Sequence, residues 1–130
     1  MPILNWKRSY EVGHDKLDGE HRKLIEMINR AYDAAQEDPD ETILAQLSVD
    51  MNRYALSHFA TEEELMHSYS YPEKESHIAM HENFREKADA CGRPDADTIA
   101  ILRYLSNWLK GHIPGTDKKL ARFLREKNIR

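Results

Sequence analysis

The sequence predicts an all-α protein, specifically an up-down-up-down four-helix bundle with an N-terminal arm and a short C-terminal helix. Apolar residues recur every three or four positions in four successive segments, as in amphipathic helices, and no segment alternates like a strand. The connections between these segments are short, which favours antiparallel neighbours. The predicted elements are an arm over 1–17, helices over about 19–37, 41–67, 73–90 and 95–112, and a terminal helix with Leu120, Phe123 and Leu124.

Local signals set the boundaries of these elements. Asp18 is a suitable N-cap for the first helix, because its carboxylate can accept hydrogen bonds from free backbone N–H groups. The proline-containing tract 36–40 ends that helix. The second helix ends before Pro72, since a residue that precedes proline is pushed out of the α region. The third stops at 91–94, and the Pro-Gly pair at 114–115 interrupts the fourth.

Composition limits the class of protein. The chain has 130 residues and 40% hydrophobic content, which suits one domain over residues 1–130. The net charge is −4, and no basic patch alternates with aromatic residues, so nucleic acid is not an expected partner. No apolar run is long enough for a membrane span, and the N-terminus lacks a signal-peptide core, so we expect a cytoplasmic protein. Cys91 is the one cysteine, which excludes an internal disulfide and a thiolate metal cluster.

Five of the seven histidines lie where helical periodicity places core residues. Burying an unpartnered imidazole costs roughly 1–3 kcal/mol, so five of them on four segments need a common partner. Two acidic residues, Glu62 and Asp117, accompany them. We therefore predict a metal site. Its candidate histidine ligands are His21, His58, His77, His81 and His112.

Helical phase selects the ligands within each segment. Positions i and i+4 differ by only about 40° around a helix, so Glu62 shares a face with His58, and His77 shares one with His81. The next two glutamates, at 63–64, are rotated by well over 100° from His58 and are predicted to be solvated surface residues.

The remaining acidic and histidine residues need separate arguments. Asp117 lies five positions after His112, about 140° away on an unbroken helix, and the Pro-Gly pair at 114–115 allows the backbone to bring it back. His67 is about half a turn from His58 and is predicted to be on the surface. His14 falls in the arm and is interpreted as a partly exposed loop histidine.

The number of donor atoms indicates two metal ions. Five imidazoles and two bridging carboxylates offer nine donors, and a shared oxo or hydroxo group fills two more of the twelve positions around two six-coordinate ions. One position then stays vacant. His77, His81 and His112 form a plausible trio opposite His21 and His58, although the sequence leaves this division open. A nitrogen- and oxygen-rich octahedral pair favours iron over zinc.

Four segments carry the candidate ligands and follow one another along the chain: 17–21 (LDGEH), 58–62 (HFATE), 71–81 (YPEKESHIAMH) and 108–113 (WLKGHI) with Asp117. Together they resemble the hemerythrin family in its single-domain bacterial form. The resemblance implies a four-helix bundle with a terminal helix and a non-haem centre of two iron ions with an oxo or hydroxo bridge. It also implies reversible O₂ binding and the division of the histidines into three and two.

The resemblance further implies an O₂ pocket, whose lining would be Phe59, Trp108, Leu109 and Ile113. Two residues depart from the family pattern. Glu20 stands where the family often has glutamine and adds a charge near the site. His14 stands where an apolar residue is usual.

Three alternatives remain at this point. One is a structural bundle whose histidines bond within the core. The second is a di-iron enzyme, such as an oxidase, a peroxidase or a nitric-oxide-handling protein. Ferritin-like sites use two Glu-x-x-His pairs, whereas Glu64 faces away with His67, and Glu11 lies in the arm with His14.

The third alternative is an O₂ or redox sensor, but sensors usually carry an output module and none is evident up to Arg130. We therefore expect a non-enzymatic O₂ carrier, store or delivery protein that serves an O₂-consuming recipient. The sequence does not define its oligomeric state.

Overall fold

A computed structural model describes residues 2–37 and 40–129, and the regular secondary structure in this part of the chain is helical. In order, the elements are a 3₁₀ turn Arg8–Tyr10, α1 Asp15–Gln36, α2 Glu41–Ser68, α3 Lys74–Ala88, α4 Thr98–Gly111, a π-helical turn His112–Asp117 and α5 Lys118–Glu126.

The four long helices form a closed bundle. Helix α1 packs against α2 and α4, and α3 packs against the same two helices, so each helix has two neighbours. Short connections join consecutive helices, which makes the topology up-down-up-down. The predicted fold class is therefore confirmed. The most deeply buried side chains between the helices include Phe59, Phe84, Leu24, Ile28, Met51, Leu102 and Leu105.

The arm packs into the bundle more closely than predicted. The backbone N–H groups of Ile3 and Leu4 both donate to Oδ1 of Asn29 at 3.0 Å, and Asn29 Nδ2 donates to the Leu4 carbonyl at 2.8 Å. The side chains of Leu4 and Val12 are buried. The 3₁₀ turn of the arm also contacts the π-helical turn. The arm therefore closes the bundle beside the end of α4.

The start of α1 differs from the prediction. The helix begins at Asp15, and its N-cap is His14, whose Nδ1 accepts a hydrogen bond from the Leu17 N–H at 3.3 Å. Asp18, the predicted N-cap, instead accepts from the Val12 N–H at 2.8 Å and so holds the arm. The interpretation of His14 as a partly exposed loop residue was also wrong, since it is 5% exposed. Histidine is not among the usual N-cap residues, so the pattern did not reveal this role.

The other boundaries lie close to their predicted positions. Helices α2 and α3 agree to within a few residues, while α4 begins at Thr98 because the carboxylate of Asp97 accepts from the Ala100 N–H. Residues 38–39 of the predicted break after α1 lie outside the described part of the chain. None of the described helices combines the length and apolar character that crossing a membrane requires.

The segment between α4 and α5 stays helical through the Pro-Gly pair. Regular α structure stops at Gly111, as the proline predicted, but the chain continues as a π-helical turn over His112–Asp117. Hydrogen bonds in a π-helix join residues i and i+5, which makes one turn wider than in an α-helix. The sequence predicted an interruption here, and the structure provides a widened turn instead.

Candidate metal centre

The seven predicted ligands converge in the middle of the bundle. Each is at most 7% exposed. Every long helix contributes, either directly or through the π-helical turn that continues α4. The contributions are His21 from α1, His58 and Glu62 from α2, His77 and His81 from α3, and His112 and Asp117 from the π-helical turn.

The five histidines form two sets around the two carboxylates. The three-histidine set is His77, His81 and His112, and the two-histidine set is His21 and His58. The donor atoms of each set, together with those of Glu62 and Asp117, lie within 4.8 Å of one another. Both sets therefore have the spacing of a metal site, and the two carboxylates belong to both.

Glu62 directs one oxygen to each set. Its Oε1 lies 3.2 Å from His77 Nε2 and 3.0 Å from His81 Nε2, in the three-histidine set. Its Oε2 lies 2.9 Å from His58 Nε2 and 3.3 Å from His21 Nε2, in the two-histidine set. This is the arrangement expected of a carboxylate that bridges two cations.

Asp117 repeats this arrangement from the opposite side. Its Oδ1 lies 3.1 Å from His77 Nε2 and 3.0 Å from His112 Nε2, and its Oδ2 lies 3.0 Å from His21 Nε2. The π-helical turn explains how it reaches the site, because the i to i+5 repeat places Asp117 one turn after His112. Such turns occur frequently at functional sites.

Several donor atoms lack hydrogen-bond partners, although oppositely charged atoms lie nearby. His58 Nε2, His112 Nε2 and Asp117 Oδ1 are buried and make no hydrogen bond in the described chain. These atoms are therefore close to oppositely charged atoms, but the groups are not oriented for hydrogen bonds. Unsatisfied buried polar atoms are rare, and cations between these groups would satisfy them. Imidazole and carboxylate donors of this kind suit iron.

The electrostatics of the centre favour positive charge. Burial opposes the charged form of each imidazole, but the two carboxylates, joined by Glu20 at His58, outweigh it and raise the pKa of His21 to about 9, of His58 to about 10 and of His77 to about 9. Burial also opposes the charged carboxylates, yet the surrounding histidines hold the pKa values of Glu62 and Asp117 well below their usual range. The seven side chains therefore form a cation-binding environment.

Two further carboxylates orient histidines from outside the centre. His58 Nδ1 donates to Glu20 Oε1 at 2.7 Å, and His81 Nδ1 donates to Glu63 Oε2 at 2.7 Å. Each bond leaves Nε2 as the ring atom that faces the centre, as in the carboxylate–histidine pairs of metal sites.

The prediction for Glu63 was therefore wrong, because its side chain reaches around α2 and is only 25% exposed. The other glutamate of that pair, Glu64, is exposed as predicted. A signal for Glu63 did exist. It adjoins the predicted ligand Glu62, and Arg85, one helical turn after His81, could pair with it.

Two of the four predicted pocket residues stack on histidine rings, and the other two are buried in the core. The Phe59 ring stacks on the His81 ring and the Trp108 ring on the His112 ring, each with 4.0 Å between centroids. Phe59 also lies 5.9 Å from the ring of His58 and so adjoins both histidine sets. Leu109 and Ile113 are at most 2% exposed.

Known proteins match nearly the whole chain. A sequence profile described as the hemerythrin HHE cation binding domain matches residues 12–124. A bacteriohemerythrin from Stenotrophomonas maltophilia is 32% identical over 127 residues, which cover 93% of this chain and 81% of that protein. A bacteriohemerythrin from Clostridium acetobutylicum is 30% identical, with coverage of 88% and 95%. A myohemerythrin from Theromyzon tessulatum is 32% identical, with coverage of 88% for both chains.

A solved structure supports the fold. The crystal structure of a leucine-to-phenylalanine mutant protein superposes with a TM-score of 0.79, covering 94% of this chain and 97% of that one. The sequences are 22% identical, so this likeness concerns the fold alone.

Proposed function

The chain belongs to the hemerythrin family, and from that premise we propose that it is a reversible O₂ carrier, store or delivery protein. Members of this family hold two iron ions, and they bind O₂ rather than acting as enzymes. The chain is therefore an O₂-binding protein and not an enzyme. We further propose that residues 1–130 act as one domain with this function. A cytoplasmic location and an O₂-consuming recipient protein stay predictions.

The proposal rests on the position of two carboxylates, each of which reaches both histidine sets. Glu62 and Asp117 each direct one oxygen toward the three-histidine set and the other toward the two-histidine set. We propose that His77, His81 and His112 hold one iron and that His21 and His58 hold the other. An iron pair held by these residues would supply the electrons that O₂ binding requires.

The apolar side chains beside the site would favour binding over further chemistry. Phe59, Leu109 and Ile113 have no ionisable group, and Trp108 offers only a weak N–H donor. They cannot deliver a proton to O₂ at neutral pH. Close packing excludes water from the same space. We therefore propose that these residues protect bound O₂ from protonation, so that it is released again as O₂.

The pocket assignment makes a prediction about autoxidation. Leu109→Ala or Ile113→Ala should open a cavity beside the site, admit water and shorten the lifetime of the oxygenated protein by roughly 3- to 10-fold, with iron content unchanged. The decay of the visible absorbance in air measures this lifetime.

Leu102→Ala is the matched control, because Leu102 is an equally buried leucine on α4 nearly two turns earlier. It should lose stability without a comparable loss of lifetime. Decay at the parent rate in both pocket variants, with two irons still bound, would mean that the pocket lies elsewhere.

An optical spectrum tests the proposed function itself. The reduced protein should gain visible absorption in air and lose it again when O₂ is removed under argon, over repeated cycles. Irreversible bleaching, or steady consumption of O₂ with an added reductant, would indicate oxidase chemistry and contradict the proposal.

A further inference from the structure

Arg85 lies outside the centre but contacts it through two groups. It belongs to α3, one turn after His81, and its side chain is 24% exposed. Its Nη2 donates to Glu63 Oε2 at 3.1 Å, and its Nη1 pairs with Glu82. Neither the donor count nor the proposed pocket includes this arginine.

The acceptor oxygen of this bond is shared. Glu63 Oε2 accepts from His81 Nδ1 at 2.7 Å and from Arg85 Nη2 at 3.1 Å. A single oxygen therefore separates the guanidinium from a histidine of the three-histidine set. On its other side, Arg85 Cζ lies 5.5 Å from the centroid of the Phe59 ring, which stacks on the same histidine. Arg85 thus contacts both groups that fix the His81 ring.

In the described part of the chain, the outer carboxylate of the two-histidine set, Glu20, has no corresponding cation. Glu20 Oε1 accepts from His58 Nδ1 at the same distance of 2.7 Å, and its side chain is 19% exposed. Among residues 2–37 and 40–129, no lysine or arginine forms an ion pair with Glu20. Within the described residues, Glu63 is therefore paired with a lysine or arginine side chain and Glu20 is not.

We infer that Arg85 is a positioning residue that acts on the metal centre through Glu63. A carboxylate that accepts a hydrogen bond from Nδ1–H makes the imidazole a stronger donor to a metal at Nε2. A guanidinium on the same oxygen withdraws part of that negative charge, so His81 becomes a weaker donor than it would be beside free Glu63. The uncompensated Glu20 strengthens His58 in full. The two iron positions therefore receive unequal charge donation, an inference that rests on the proposed iron pair.

A double-mutant cycle tests this inference. Arg85→Gln removes the cation and should shift the midpoint potential of the iron pair to a more negative value, because the unmasked Glu63 stabilises ferric iron. Glu63→Gln should shift the potential to a more positive value and speed the release of iron to a chelator by about 10-fold or more. In the Glu63→Gln background, Arg85→Gln should produce less than about a third of its single-variant shift.

Two further variants separate charge from structure. Arg85→Lys keeps the charge and should stay close to the parent potential. Arg93→Gln is the control, because Arg93 is an exposed arginine that pairs with Asp89, beyond the end of α3. It should leave both the potential and the release rate unchanged.

The outcomes are distinguishable. Equal shifts from Arg85→Gln in the two backgrounds would show that Arg85 does not act through Glu63 and would overturn the inference. An unchanged potential in the Arg85→Gln protein would overturn it as well. Absence of iron from the parent protein would instead overturn the proposed function, and the inference with it.

Discussion

Removal of the iron should lower the melting temperature of the protein by roughly 10–20 °C. The seven proposed ligands come from α1, α2, α3 and the π-helical turn that continues α4, so bound metal connects the whole bundle. A ligand present at about 1,000 times its dissociation constant stabilises the folded state by about 4 kcal/mol. In a domain of this size each kcal/mol is worth about 4 °C.

The metal-free protein also leaves buried polar atoms of the centre unsatisfied. Five buried imidazoles and two buried carboxylates would face one another with several atoms lacking hydrogen bonds. Such groups cost free energy when the cation that satisfies them is absent. The destabilisation therefore arises both from the lost free energy of metal binding and from buried polar atoms that are left without hydrogen bonds.

Calorimetry before and after dialysis against an iron chelator measures the effect. Metal analysis of the starting protein should give two irons per chain, and added ferrous iron under argon should restore the original melting temperature. One zinc per chain, or an unchanged melting temperature after complete removal of iron, would contradict the prediction.

Helical phase was sufficient to predict that the paired candidate ligands of α2 and α3 share a face. His58 and Glu62, like His77 and His81, are four residues apart, so any α-helix through these segments presents both members of a pair on one face. The fold class followed from the same periodicity. Bringing the pairs together required only that the apolar faces, which carry them, pack inward.

Features that depend on distant partners could not be predicted in this way. Asp117 reaches the site because the chain forms a π-helical turn, and a Pro-Gly pair alone does not distinguish such a turn from a break. His14 caps α1 although histidine is an unusual N-cap. Glu63 bends toward α3 because Arg85 and His81 supply donors there, and helical phase on α2 contains no information about them.

The proposed bridging role of Glu62 predicts a large loss of iron when this residue is replaced. Glu62→Ala removes one donor from each iron position and a buried negative charge from among five histidines. Iron content should fall from two to below one per chain, and affinity should fall by more than the roughly 10- to 100-fold typical of residues that only orient ligands. Metal analysis after expression with excess iron measures the content.

The choice of control decides what this experiment can establish. Glu63 is unsuitable, because it accepts a hydrogen bond from His81 Nδ1 and its loss would disturb the same site. Glu64 is exposed on the same helix, so Glu64→Ala matches the chemical change and should keep two irons.

Glu62→Gln retains the size of the side chain but not its charge, and it should lose iron nearly as Glu62→Ala does, since an amide cannot offer two anionic oxygens to two cations. Full iron content in Glu62→Gln would show that Glu62 does not bridge, and equal losses in Glu62→Ala and Glu64→Ala would show that the loss reflects helix stability rather than metal ligation.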